Sequence, residues 1–182
     1  MPLRLAKRAG KKTVAGRKMR ALRIILILAV TLGLSGCASK FLRYNGPEVT
    51  SIQVHKAERK MYLLNNGTVL ESYDIALGFA PLGHKQFEGD GKTPEGTYVI
   101  THRNPKSDYH LSLGISYPNE ADREFATLAN KPTGGDIFIH GHSNFRGNNR
   151  GDWTAGCIAV TDREVEVIYS MIKPGTVIHI LP

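Results

Sequence analysis

TSIQVHKAERKMYLLNNGTVLESYDIAL, residues 50–77, reads as three short strands in succession. Thr50–His55 alternates apolar with polar residues, and Lys60–Leu64 is mostly apolar, with a short charged turn between them. Asn65-Asn66-Gly67 is a strong turn signal, because asparagine and glycine accept the left-handed backbone of a tight hairpin. Val69–Leu77 follows as the third strand. A period of two sends alternate side chains to opposite faces, so the segment predicts a β-meander rather than a βαβ unit.

Downstream, residues 78–96 hold Gly78, Gly83, Gly89, Gly91 and Gly96 together with Pro81 and Pro94, which excludes a regular helix. Strands are expected at Thr97–His102, Ile137–His140, Ile158–Val160 and Thr176–Ile180. One helix is well marked. Thr161-Asp162-Arg163-Glu164 fits a capping box, Val165, Ile168 and Ile172 share a face, and Pro174-Gly175 stops the run. A weaker helical pattern runs from Glu120 to Ala129. The expected fold is α+β but mostly β: a single sandwich- or barrel-like domain over residues 50–182, with one or two helices packed on it. The chain's 182 residues suffice for one real core but not comfortably for two domains.

Upstream, the composition changes. Residues 1–36 carry nine of the 24 basic residues and no acidic one, so residues 37–182 hold 15 basic against 16 acidic groups. The overall charge of +8 therefore belongs to the leader, and a nucleic-acid-binding reading loses its support. After Arg23, the uncharged run Ile24–Leu34 is too short for a bilayer, which takes about 20 residues, but it suits the apolar core of a secretion signal. It ends in Leu34-Ser35-Gly36-Cys37, which resembles a bacterial lipobox. On this reading residues 1–36 are removed, Cys37 is acylated, and residues 37–49 form a short tether to a membrane. Ala38 rather than aspartate follows the cysteine, which implies a Gram-negative outer-membrane lipoprotein facing the periplasm. Cys157 is then a lone thiol in an oxidising compartment, a candidate reactive group.

Two segments carry chemistry: Ile137-Phe138-Ile139-His140-Gly141 and Trp153-Thr154-Ala155-Gly156-Cys157-Ile158. A thiol must lose its proton to attack a carbonyl, and an imidazole can take that proton and return it to the leaving amine. His140 ends one apolar strand, and Cys157 opens another behind a glycine. Gly156 would admit substrate close to the backbone, and the amides of Cys157 and its neighbours could donate to an oxyanion. A third group must orient His140; His142, Ser143 and a backbone carbonyl all qualify. A metal site of His140, His142 and Cys157 is the rival, but it lacks a fourth clear ligand and CxxC spacing, so no metal or cofactor is expected.

His140-Gly141 followed by Thr154-Ala155-Gly156-Cys157-Ile158 resembles the active-site signature of the L,D-transpeptidase (YkuD-type) family. In that family a histidine–glycine precedes a Ser/Thr-His-Gly-Cys. The stretch Gly89-Asp90-Gly91-Lys92-Thr93-Pro94-Glu95-Gly96-Thr97-Tyr98 and the opening strand pair through Met61-Tyr62-Leu63 resemble the family too, extending the likeness over residues 50–181. The resemblance implies a β-rich catalytic domain acting on peptidoglycan stem peptides in cell-wall biogenesis and cell shape. Cys157 would attack the carbonyl of the stem's diamino acid and expel D-alanine. An amine acceptor, from another stem or an envelope protein, would then resolve the thioester. Water in that role gives a carboxypeptidase, or an enzyme that detaches protein from peptidoglycan. The remaining alternative is a lipoprotein that only binds peptidoglycan, with an inert Cys157.

Gly156, Gly141, Thr154, Ser143 and His142 are the expected support around the pair. The chain departs from the pattern at Ala155, where the family usually has a second histidine, and at Ala159, where many members have arginine or asparagine. Arg146, Arg150, Asp152 and Trp153 are the candidates to bind substrate in their stead. An activated thiolate has a pKa of roughly 3.5–7.5, so Cys157 is expected to alkylate readily near neutral pH. The Asp90–Gly96 loop is expected to be structural.

Overall fold

The computed structural model describes residues 39–142 and 151–182. Cys37, Ser143, Arg146 and Arg150 lie outside them, as does the leader. Ile52 and Val54 alternate inward along β1 (Ser51–His55), and Met61 and Leu63 do so along β2 (Lys60–Asn65). With β3 (Thr68–Asp74) they make the expected antiparallel meander. Asn66 and Gly67 both have positive φ at the β2–β3 turn, as that turn requires.

Five more strands follow: β4 (Gly96–Asn104), β5 (Ser112–Ile115), β6 (Phe138–His140), β7 (Ile158–Ala159) and β8 (Val177–Leu181). The sheet order is β3-β2-β1-β8-β4-β5-β6-β7. Strand β8 inserts parallel to β1 and antiparallel to β4. Strand β4 is the joint. Its first half pairs with β8, its second half with β5, and its register shifts between Ile100 and Arg103. Such an irregularity bends a strand and increases its twist. Past β3 the chain continues through Ala76 and Gly78, which bridge to Ala159 and Thr154. The two ends of the strand order thus meet, and the sheet curls onto itself around Ile100, Leu113, Ile139, Ile158 and Ile178. Each such side chain contributes about 1.5–3 kcal/mol of burial free energy.

Helix α1 (Glu120–Leu128) is capped by Asn119 and α2 (Asp162–Met171) by Thr161, each with a complete capping box. Val165, Ile168 and Ile172 are fully buried, and α2 packs on β5 and β6. Strand β5 was not expected from the sequence. Its four residues are all buried and include Ser112 and Gly114, so no alternation marks them.

The glycine-rich loop is held by buried charges. Lys85 pairs with Asp90 at 2.9 Å, and Asp90 also accepts from the amides of Gln86, Phe87 and Lys92. Lys56, only 2 % exposed, pairs with Glu95 at 2.7 Å and donates to the carbonyls of Gly83 and Thr93. These contacts fix the loop against the end of β1. Removing the lysine would strand a carboxylate and two carbonyls in a place water barely reaches. Lys56→Ala is therefore expected to lower the unfolding free energy by about 3 kcal/mol, read from urea denaturation; a change under about 0.5 kcal/mol, the usual range of a surface substitution, would refute this account.

Candidate active site

Strands β6 and β7 run parallel, with Ile139 opposite Ile158 and His140 opposite Ala159. Cys157 precedes β7 by one residue, which sets it level with Phe138 and one diagonal step from His140, on the same face. His140, Cys157, Phe138, Tyr109 and Asp136 line one open cavity of about 290 Å³.

His140 is buried, and its Nδ1 lies 2.5 Å from the carbonyl oxygen of Gly141. A carbonyl only accepts, so Nδ1 carries the proton and Nε2 keeps its lone pair. Of the orienting groups open to the sequence, the backbone carbonyl is the one found on Nδ1, while Ser143 lies outside the described residues. Gly141 is required there: a Cβ would sit 2.6 Å from Asp162 Oδ1 and 2.9 Å from the Tyr109 carbonyl. The first turn of α2 thus presses directly on the residue that orients His140. Tyr109 lies over the imidazole with ring centroids 4.4 Å apart, and Trp153 packs edge-on at 5.8 Å. Trp153 also meets His142 at 4.4 Å, so both act as walls around His140. Burial lowers the His140 pKa; the Gly141 carbonyl works the other way, and His142 adds to the lowering.

Cys157 is a half-buried free thiol whose Sγ donates to the Asp136 carbonyl at 3.4 Å. Burial pushes its pKa up and the Asp136 charge adds to this, while the Phe138 amide and Lys85 pull it down. The net direction is upward, so the resting pair is a neutral thiol beside a neutral imidazole. This direction runs against the expectation of ready alkylation near neutral pH: an apolar strand end desolvates the sulfur more than its neighbours stabilise an anion.

Thr154 and Gly156 shape the turn. The Thr154 hydroxyl accepts from the Gly156 amide at 3.1 Å and donates to the Cys157 carbonyl at 2.7 Å. The Gly156 N–H is thereby used within the turn. Gly156 has φ of 139°, and a Cβ on it would lie 2.6 Å from the Lys92 carbonyl. The glycine-rich loop can back the strand that Cys157 opens only because this residue has no side chain.

Asp152 differs from its expected role. It takes a bidentate contact from Arg59, with Nη2 at 2.7 Å, and accepts from the Leu77 amide at 2.9 Å. With its oxygens so engaged it clamps the loop to the chain beyond β3 rather than facing substrate. Ala159 is buried, exchanging backbone hydrogen bonds with Ala76, and Ala155 is exposed. Among the described residues no group of three or more His, Cys, Asp or Glu is arranged to hold a metal. Sequence reasoning missed Tyr109, which lies in a loop distant from both motifs, and Asp136, which directly precedes the His140 segment. It also missed Arg59, which nothing but its partner identifies.

Residues 50–180 match the family model of the YkuD L,D-transpeptidase catalytic domain. YafK of Escherichia coli strain K12 is 31% identical over 132 residues, covering 69% of this chain and 48% of YafK. This chain thus spans about half the length of the curated relatives it matches. Among solved structures, the helical cell shape determining protein Pgp2 from Campylobacter jejuni is similar at 25% identity and a TM-score of 0.56, over 80% of this chain and 51% of Pgp2. Bd1075 from Bdellovibrio bacteriovorus is similar at 28% identity and a TM-score of 0.53, over 74% of this chain and 48% of Bd1075. With the family model covering both strands of the site and the whole curled sheet, the chain belongs to the YkuD family of L,D-transpeptidase catalytic domains.

Proposed function

We propose that the protein is a peptidoglycan L,D-transpeptidase with Cys157 as nucleophile and His140 as general base. The observation that carries this is the Nδ1 contact to Gly141, which leaves Nε2 as a base on a cavity shared with the only thiol of the domain. The stem peptide's diamino-acid carbonyl enters beside Sγ. His140 Nε2 takes the thiol proton as the S–C bond forms, since neither partner is ionised at rest. The Cys157 amide is the donor nearest the developing oxyanion, the Gly156 amide being committed to Thr154. The imidazolium then protonates the departing D-alanine amine, leaving a thioester. An acceptor amine attacks it, gives its proton to His140, and forms the new amide as the thiol returns. Water entering instead would make the same site a hydrolase.

Tyr109 lines the groove, Trp153 packs edge-on against His140, and Arg146 and Arg150 remain the candidates for substrate carboxylates. The likeness to a cell-shape determinant supports a cell-wall role. The leader and lipobox support an outer-membrane lipoprotein held by Cys37 and facing the periplasm, with peptidoglycan stems, and an envelope protein as a further acceptor, as partners.

Incubation with tetrapeptide stems is expected to add an acyl mass to the wild type and release D-alanine, with no adduct on Cys157→Ala, read by intact-protein mass spectrometry; the products then separate cross-linking from hydrolysis. Absence of an adduct with free and protein-linked stems alike would reject the enzyme reading. In the free enzyme, iodoacetamide should react more slowly at pH 7 than with an unperturbed thiol, whose pKa is about 8.5, and accelerate above that range; a rate plateau already reached by about pH 7.5 would rule out the neutral resting pair. Acylation should fall on the acid side only below the ordinary imidazole value of about 6.5, because burial lowers the His140 pKa. Radioactive fatty acid should label the wild type in cells but not Cys37→Ser; an unlabelled wild type would exclude the anchor.

A further inference from the structure

Asp136 stands where glycine would be easier. Its φ is 55°, in the left-handed region, directly after Gly134 and Gly135. A non-glycine residue there is strained unless something else favours it, and aspartate is among the few side chains that tolerate it. Its carbonyl is used by Cys157 Sγ, which fixes the residue beside the nucleophile. The residue is exposed and lines the cavity, and among the described residues its carboxylate has no hydrogen bond or ion pair. An unpaired anion at that place opposes the negative charge that develops on Sγ as its proton leaves. The nearby ammonium of Lys85 offers no relief of its own, being tied to Asp90 and the Phe87 carbonyl. Asp108 lines the same cavity from the β4–β5 loop, but it makes no recorded contact with the sulfur.

Resting on the L,D-transpeptidase reading, we propose that Asp136 is the specificity residue for the donor stem, pairing with the side-chain ammonium of its diamino acid. A carboxylate in a partly closed cavity selects a cation over its neutral analogue by a charge-assisted hydrogen bond. The same contact neutralises the anion beside Sγ, so the correct substrate removes an obstacle to its own attack. A stem lacking that amine would dock beside an uncompensated carboxylate and find the thiol less reactive.

The test uses the full-length protein with Asp136→Asn, which keeps the shape, and Asp136→Gly, which relieves the backbone strain while deleting the charge. Binding is measured by titration calorimetry in a Cys157→Ala background, with a tetrapeptide stem bearing a free side-chain amine and the same stem N-acetylated there. Without the second substitution, the free-amine stem should bind about tenfold tighter; with either Asp136 variant the two stems should bind alike. Iodoacetamide should alkylate Cys157 severalfold faster in both Asp136 variants than in the wild type at one neutral pH, a change that a purely structural role would not produce. Equal binding of both stems without the Asp136 substitution, a preference surviving in Asp136→Gly, or unchanged alkylation would each overturn the proposal. Failure of the enzyme reading would show separately, as absence of acyl-enzyme in protein carrying an intact Cys157.

Discussion

Ala76 and Ala159 exchange two backbone hydrogen bonds of 2.9 Å, and the site depends on that exchange. Strand β7 is only two residues long and could not hold itself in place by β6 alone. With Ala76 on one side and His140 on the other, Ala159 is fixed on both edges, and Cys157 two residues earlier inherits that position. The same closure brings Leu77, Gly78 and Phe79 alongside the turn at Trp153 and Thr154, whose backbone bonds extend the seam. Ala159 itself is buried at this seam.

Around that seam, three separate parts of the chain press on the surroundings of His140 and Cys157. The capped end of α2 lies against Gly141, the glycine-rich loop against Gly156, and the β4–β5 loop places Tyr109 over the imidazole. Each approach is close enough that a methyl group would collide at both glycines. The charged anchors behind them are Lys56–Glu95, Lys85–Asp90 and Arg59–Asp152. Their function is to keep loops rigid where no strand runs, which suits a site that must hold its donors preorganised.

The meander, the capped helix and the His–Gly and Gly–Cys segments were legible because each rests on local rules: alternation, a capping box, a glycine beside a functional residue. The second helix, too, emerged with its capping box, within one residue of its expected end. Strand β5 was not legible, because four residues buried on both faces carry no period. Nor was the role of Asp152. A charged residue between two motifs reads as substrate binding until its partner is known, and that partner lies 93 positions away. Asp136 was hidden for another reason: nothing in Gly134-Gly135-Asp136 reveals a left-handed φ or a carbonyl against the sulfur.

The electrostatics of the pair also follow from the fold. Both groups sit at the ends of apolar strands, so desolvation is the first cause of each shift and moves both toward their neutral forms. A neutral thiol is a poor nucleophile, which looks unhelpful for an acyltransferase. Yet the species open to oxidation is the thiolate. In the envelope location proposed above, a resting thiolate without a disulfide partner would be exposed to oxidants between turnovers. On the proposed mechanism, holding the proton on sulfur until a substrate carbonyl arrives would protect Cys157, and a base fixed on the neutral tautomer would let that proton move within the attack itself.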